Sequence, residues 1–340
     1  IGAMAVRSLT IFMVEREVLN KIILSKYNLT ISPDEELILP PYKGSTLRGG
    51  FGSVFRRISC IERNSKSCKK CLLREKCAYS YIFNTSPPFD SPLLKNLEDI
   101  PRPFIIEPPL DTRRIVNKNE ILIFNLILIG RAIEFLPYFI VAFRDLGETG
   151  IGRYRKKFRL KEITTDSCSN QEKGLVYSDE DNTVRNIEER FSWLNLVEES
   201  PLTAKGQKRE KIVLYFLTPT RLKHDGKFMM IPEFHIVIRS LLRRISNLGY
   251  FHCGVNLNLN FKELIEKSKK IKIDKINTRW IDWERYSSSQ RMKMKMGGFI
   301  GEVVYSGELE PFIPFLLLGE YIHLGKGATF GMGWYRLRID

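Results

Sequence analysis

His224, His235, His252 and His323 are the chain's only imidazoles, the side chains whose ordinary pKa lies near neutral pH. His323 stands out by its place. It ends the apolar run "PFIPFLLLGEYI", which reads as a helix, and opens "HLGKGATFGMGWYR". In that stretch Gly325, Gly327, Gly331 and Gly333 carry no Cβ, so backbone N–H groups are free to approach a phosphate, and Lys326 adds a cation. The predicted chemistry is proton transfer beside a phosphate, with His323 and Lys326 as candidate catalytic residues. A histidine that caps helix-end carbonyls is the competing reading. His235 and His252, at the two ends of another apolar helix, are expected to be packed or surface-bound, and His224, in "KHDGK", to be exposed.

A second cluster has metal-ligand spacing. Cys60, Cys68, Cys71 and Cys77 read C-x7-C-x2-C-x5-C, with Lys66, Lys69, Lys70 and Arg74 among them. A CxxC with two flanking cysteines suits a tetrahedral zinc site, and four protein ligands leave no open position, so the zinc would be structural. An iron–sulfur cluster, free thiols and disulfides remain open. Cys168 and Cys253 lie too far off in sequence to join by spacing.

These groups must be carried by ordinary globular elements. The 340 residues suit about two domains, and the phrase "GIGRYR" at 150–155 recurs as "GMGWYR" at 331–336, with "RRIS" at 56–59 and 243–246. A duplicated unit is predicted. In the first half, strand-like residues from Asn20 to Leu39 precede "STLRGGFGSVFRRI". There Leu47, Phe51, Val54, Phe55 and Ile58 recur at helical spacing behind Ser45 or Thr46 as N-cap. Two β-like runs, a helix from about Arg131 to Leu146, and the strand "RYRKKFRLKEI" follow. The second half repeats this order, from "KIVLYFLTP" to the strand after the glycines.

The order β-α-β-β-α-β is the split βαβ pattern. The expected fold class is therefore α+β: two tandem ferredoxin-like (RRM-like) domains with a four-cysteine zinc-knot insertion in the first. The first domain is expected over 1–204, with the cysteine-rich insertion at about 60–80 and a polar linker at about 165–204. The second takes 205–340. The apolar stretch Ile121 to Phe143 is interrupted by Asn125, Arg131, Glu134 and Pro137, so a buried strand and a core helix are expected there, not a membrane span. No secretory signal is seen, and a cytoplasmic protein is expected. Lys and Arg exceed Asp and Glu to give a net charge of +15, which points to a polyanionic partner.

The stretches "YKGSTLRGGFG", "CKKCLLREKCAYSYIF", "LTPTRLK", "FHIVIRSLLRRISNLGYFHCG", "WIDWERYSSSQ", "GGFIGEV" and "HLGKGATFGMGWY" occur in this order from about residue 20 to the end. Together they resemble the RAMP superfamily of CRISPR-associated proteins, in particular its precursor-crRNA processing endoribonucleases, the sixth Cas family. The resemblance implies metal-independent cleavage of CRISPR repeat RNA. A ribose 2′-OH attacks the adjacent phosphorus and leaves a 2′,3′-cyclic phosphate and a 5′-OH. Precursor crRNA is the implied partner, with effector-complex subunits as further candidates, no membrane, and a monomer or a homodimer.

Many relatives place a catalytic histidine on the first helix of the first unit, and "PPYKGSTLRGGFG" has none. Tyr42 and Lys43 remain as catalytic candidates there, with Arg48 as an RNA contact. If residues 153–159 form a strand, Arg153, Arg155, Lys157 and Arg159 share one face, an RNA-facing basic stripe, and Tyr154 and Phe158 share the other. Arg285 and Tyr286, near Trp280 and Trp283, add the mix of charge and stacking suited to single-stranded RNA, and Gly325, Gly327, Gly331 and Gly333 are RNA-binding candidates through their backbone N–H groups. An amphipathic strand is the simpler account of "RMKMK". The missing histidine keeps a second reading open, a non-catalytic RAMP subunit that binds or scaffolds crRNA.

Overall fold

The structure is a computed structural model and describes residues 14–62, 67–85, 100–166, 173–187, 189–203, 210–287 and 292–339. In chain order the elements are α1 (Arg16–Lys21), β1 (Ile23–Pro33), β2 (Leu37–Ile38), α2 (Gly44–Ser59), α3 (Ala78–Phe83), β3 (Phe104–Glu107), β4 (Ile115–Val116), β5 (Leu122–Ile129), α4 (Leu136–Thr149), β6 (Phe158–Thr165), β7 (Leu175–Ser178) and β8 (Thr183–Val184). They continue with β9 (Phe191–Ser192), α5 (Trp193–Glu199), β10 (Lys211–Thr220), β11 (Lys223–His224), β12 (Lys227–Phe228), α6 (Phe234–Cys253) and α7 (Phe261–Ser268). The last are β13 (Lys272–Ile281), β14 (Glu284–Ser287), β15 (Met292–Lys295), β16 (Gly298–Ser306), α8 (Ile313–Ile322) and β17 (Tyr335–Ile339).

The chain divides into two compact units. One holds Leu24–Arg190 with Tyr250–Gly254; the other holds the segment up to Ile23, Phe191–Gly249 and the segment from Val255 onward. The division thus falls at Arg190, earlier than the expected 204. Each unit repeats the predicted order. The N-terminal one runs β1-α2-β3-β5-α4-β6, its sheet ordered β3-β5-β1-β6 and then extended by β7 and β8; the C-terminal one runs β10-α6-β13-β16-α8-β17, ordered β13-β16-β10-β17. Both are antiparallel ferredoxin-like sheets.

In the N-terminal unit β1 is central, pairing Leu24 with Ile129 of β5 and Tyr27 with Thr165 of β6. Its Tyr27, Leu29 and Ile31 join a core with Leu47, Phe51 and Phe55 of α2 and Phe139 and Phe143 of α4. Phe51 is the hub of that core. Its ring stacks on Phe139 at 4.7 Å and on Phe143 at 4.9 Å, contacts of about 0.5–1.5 kcal/mol each beyond simple burial. The helical spacing read for Leu47, Phe51, Val54 and Phe55 is therefore borne out, although α2 begins at Gly44 with Lys43 as N-cap and no side-chain cap. In the C-terminal unit, buried tyrosines are tied down by their hydroxyls: Tyr305 donates to the Pro232 carbonyl at 2.5 Å and Tyr335 to Leu316 at 2.7 Å.

The stretch Ile121 to Phe143 forms β5, a short 3-10 turn and α4, as expected. Among the described residues no helix is long and apolar enough to cross a membrane. The segment expected to be a linker is partly structured. β7 and β8 lengthen the first sheet, and after β9 the residues from Trp193 form α5, with Ser192 and Asn195 in a capping box.

Candidate nucleic-acid interface

The glycine-rich loop after α8 is packed from within. His323 sits at the C-cap of α8 with φ 61°, is fully buried, places Nδ1 at 3.1 Å from the Met332 carbonyl, and stacks on Trp334 at 6.0 Å. It is thus a core histidine, and the reading of His323 as a catalytic group is corrected by its burial. The loop's N–H groups are also engaged: Lys326 donates to Arg221, Phe330 to Gly327, Gly331 to Ala328 and Gly333 to Pro219, at 2.8–3.1 Å. Gly331 and Gly333 are buried, Gly325 and Gly327 half-buried, and all four have positive φ.

A Cβ on Gly333 would lie 1.8 Å from the Leu324 oxygen, and one on Gly325 would lie 2.4 Å from the Arg221 oxygen. Gly325 and Gly333 let the loop pass close to backbone, and a Cβ on Gly327 would press on the Met332 side chain, so for these three the phosphate-cradle reading gives way to a packing role; Gly331 is buried with its N–H bonded to Ala328. Gly333→Ala is accordingly expected to destabilise the C-terminal unit by about 1–3 kcal/mol, because it forces a left-handed residue against a carbonyl. Thermal unfolding measured with and without RNA checks it. An equal loss in both supports a folding role; unchanged stability with lost RNA affinity would restore the cradle.

What the loop presents is the cation Lys326, and the neighbouring β11–β12 hairpin adds an exposed aromatic, Phe228, while Phe330 is itself buried. Lys326 is exposed, and its N–H is bonded to Arg221 at the end of β10. The Arg221 guanidinium lies 4.2 Å from the Phe228 ring centre, and burial lowers its pKa from the usual arginine value. Arg285 of β14 lies 4.6 Å over Phe330 of the loop. Phe228, Met230 and Ile231 are exposed beside Lys223 and Lys227 on the β11–β12 hairpin. Cations seated on aromatic rings, with apolar side chains left open, form a surface suited to phosphates and unstacked bases. The Tyr286 side chain lies outside the described residues.

The same hairpin places two histidines together. His224 and His235 meet edge to face with ring centres 5.9 Å apart. Glu233 stands 3.4 Å from Nδ1 of His235, and Asp225 stands 3.5 Å from Nε2 of His224. Burial holds the His235 pKa below the ordinary histidine value; Glu233 opposes that shift, while His224, Arg239 and Lys269 reinforce it. Sequence reasoning missed this pair, because the reversal at β11–β12 is what joins residues on a turn and a helix start. His252 is buried between the Tyr81 hydroxyl (3.1 Å) and the Pro101 carbonyl (2.8 Å), as expected for a packed residue.

In the N-terminal unit Lys43 is fully buried, and its Nζ donates to the Asp111 carbonyl at 2.8 Å and carboxylate at 3.0 Å. That tether withdraws Lys43 from catalysis. Burial raises the Tyr42 pKa well above the usual tyrosine value, so its hydroxyl keeps its proton and is suited to donating, not to acting as a base. Arg48 stacks on Phe83 at 4.7 Å. The basic stripe also differs from expectation. An Ile151–Lys156 bridge closes a turn in which Arg155 has φ 49°, and β6 starts only at Phe158. Arg153, Arg155, Lys157 and Arg159 are all exposed, but Lys157 pairs with Glu148 at 3.1 Å and Arg159 with Asp34 at 3.0 Å. Cys60, Cys68, Cys71 and Cys77 line one cavity at the end of α2.

Residues 214–335 match the family model of the CRISPR-associated endoribonuclease Cas6, and residues 21–189 match the AF_1859_N family model, described as an N-terminal domain. An uncharacterized protein of Archaeoglobus fulgidus is 27% identical over 308 residues, covering 88% of this chain and 93% of that protein. Among solved structures, a product complex of Thermus thermophilus Cas6 superposes with a TM-score of 0.54 at 17% identity, over 93% of this chain and 99% of that one. A partial Cas6-RT-Cas1-Cas2 complex gives 0.56 at 12% identity, over 94% of this chain and 46% of that one. At such identities the two structures establish likeness of fold.

Proposed function

We propose that this chain, whose residues 214–335 match the family model of the CRISPR-associated endoribonuclease Cas6, cleaves the repeat RNA of precursor crRNA without a catalytic metal. The family match carries this reading, and the net charge of +15 supports a polyanionic substrate. The 2′-oxygen bonds to phosphorus as its proton leaves, the bond to the 5′-oxygen breaks, and that oxygen takes up a proton. Products are a 2′,3′-cyclic phosphate and a 5′-OH. Such a step needs a base, an acid and cations for the phosphorane charge. His235 and His224 take the proton-transfer roles, while Arg221 and the exposed Lys326 offset the charge. Arg285, seated on the buried Phe330, and the exposed Phe228 hold the strand by charge and by stacking respectively.

The burial of His323 and Lys43 favours a second reading, in which the chain binds crRNA without cutting it. One experiment separates them: incubation with the cognate repeat RNA in EDTA, beside the same RNA carrying a 2′-deoxy nucleotide at the cut. Cleavage of the all-ribose RNA alone is expected. Bound but uncut RNA selects the scaffold reading, and cleavage of the deoxy RNA overturns 2′-OH attack.

A further inference from the structure

We infer that Cys60, Cys68, Cys71 and Cys77 hold one zinc ion, a structural knot joining the end of α2 to the start of α3. Each thiol sits where the chain turns. Cys60 is the C-cap of α2 and Cys77 the N-cap of α3. Cys68 opens a short 3-10 turn that Cys71 closes, the Cys71 N–H reaching the Cys68 carbonyl at 3.3 Å. All four line a single cavity of about 280 Å³. The four thiols that the spacing groups along the chain thus border one pocket, without being drawn together to ligand distance.

The segment between these helices needs such a cross-link. Leu72 is 96% exposed, Ile61 is 85% exposed and Leu73 is only half-buried, so among the described residues its large aliphatic side chains give it little core. Present contacts of the thiols are weak: Cys60 Sγ lies 3.5 Å from the Glu62 carbonyl and Cys77 Sγ 4.0 Å from the Ser59 carbonyl. None of these four cysteines is in a disulfide. Zinc binding displaces one proton from each thiol and leaves a net charge of −2 on the four-thiolate centre, and Arg56, Arg74 and Lys76 line the same cavity to offset it.

Thiolates select zinc or iron–sulfur over hard cations such as magnesium. In this conformation no group of three or more Cys, His, Asp or Glu among the described residues is gathered for a metal. Closing the ligand ring and fixing the segment would therefore be one event, so that metal affinity contributes directly to the stability of this region.

Elemental analysis of the purified full chain tests the site without reference to RNA cleavage. About one zinc per chain is expected. Iron with visible charge-transfer bands overturns the assignment, as does a metal-free protein whose four thiols alkylate freely. Cys68→Ser with Cys71→Ser should abolish zinc binding. If that variant does not fold, mercurial titration of the unaltered protein decides: release of the zinc in step with four blocked thiols supports the site, and release with none of them blocked overturns it. Cobalt exchanged into the site should show the absorption of a tetrahedral thiolate centre, and an octahedral spectrum would count against it.

Discussion

Glu107→Ala is expected to destabilise the N-terminal unit by about 3–5 kcal/mol, the usual cost of stripping one partner from a buried ion pair. Lys26 of β1 is 6% exposed and Glu107 of β3 only 1% exposed. The Lys26 Nζ lies 3.1 Å from Glu107 and 3.3 Å from Asp166, and Asn125 Nδ2 donates to Glu107 at 2.8 Å. Without Glu107, the ammonium loses the more deeply buried of these two carboxylate neighbours, Asp166 being more exposed, and the Asn125 amide loses the Glu107 acceptor. Urea unfolding of the full chain, with hydrogen exchange to resolve β1 and β3, measures the loss. The double variant Lys26→Met with Glu107→Leu should recover most of it, because two apolar side chains need no such pairing. A loss below about 1 kcal/mol for Glu107→Ala would mean that water already reaches the pair.

The ferredoxin-like order was legible in both halves because its central strands and core helices bury apolar side chains with clear periods. Leu47, Phe51, Val54 and Phe55 mark the buried side of α2 by spacing alone. β13 was not legible. It is a sheet-edge strand, mostly exposed, and residues such as Lys272, Asp274 and Lys275 give it no apolar alternation. The twin phrases misled in a different way. Tyr335 begins β17 and is buried, whereas Tyr154 lies in the turn before β6 and is 57% exposed. A short echo therefore marked matching glycine corners without matching the residues that follow them.

The site was less legible than the fold because side-chain chemistry says little about burial. His323 sits between Ile322 and Leu324, and those apolar neighbours were the available signal that it faces the core. Lys43 gave no such warning, since its partner Asp111 is remote in sequence. The His224–His235 pair exists only after the β11–β12 hairpin folds back, and no linear spacing encodes it.

His235→Ala is expected to slow repeat cleavage by about 10²–10⁴-fold, the range for loss of a proton-transfer group. His224→Ala should act in the same range, and the double variant should fall little below the slower single one, because an acid and a base serving one step are not additive. The pH profile carries the sharper content. Burial holds the His235 pKa below the ordinary value, so its ring is neutral and able to accept a proton at neutral pH. The rate should rise with pH and level off earlier than an ordinary histidine would allow. Glu233 pulls that pKa back up, so Glu233→Gln should move the rising limb to still lower pH. Single-turnover rates across pH provide the measurement. A His235→Ala protein cutting at full rate at every pH would remove the pair from the chemistry and leave it a packing feature of the hairpin.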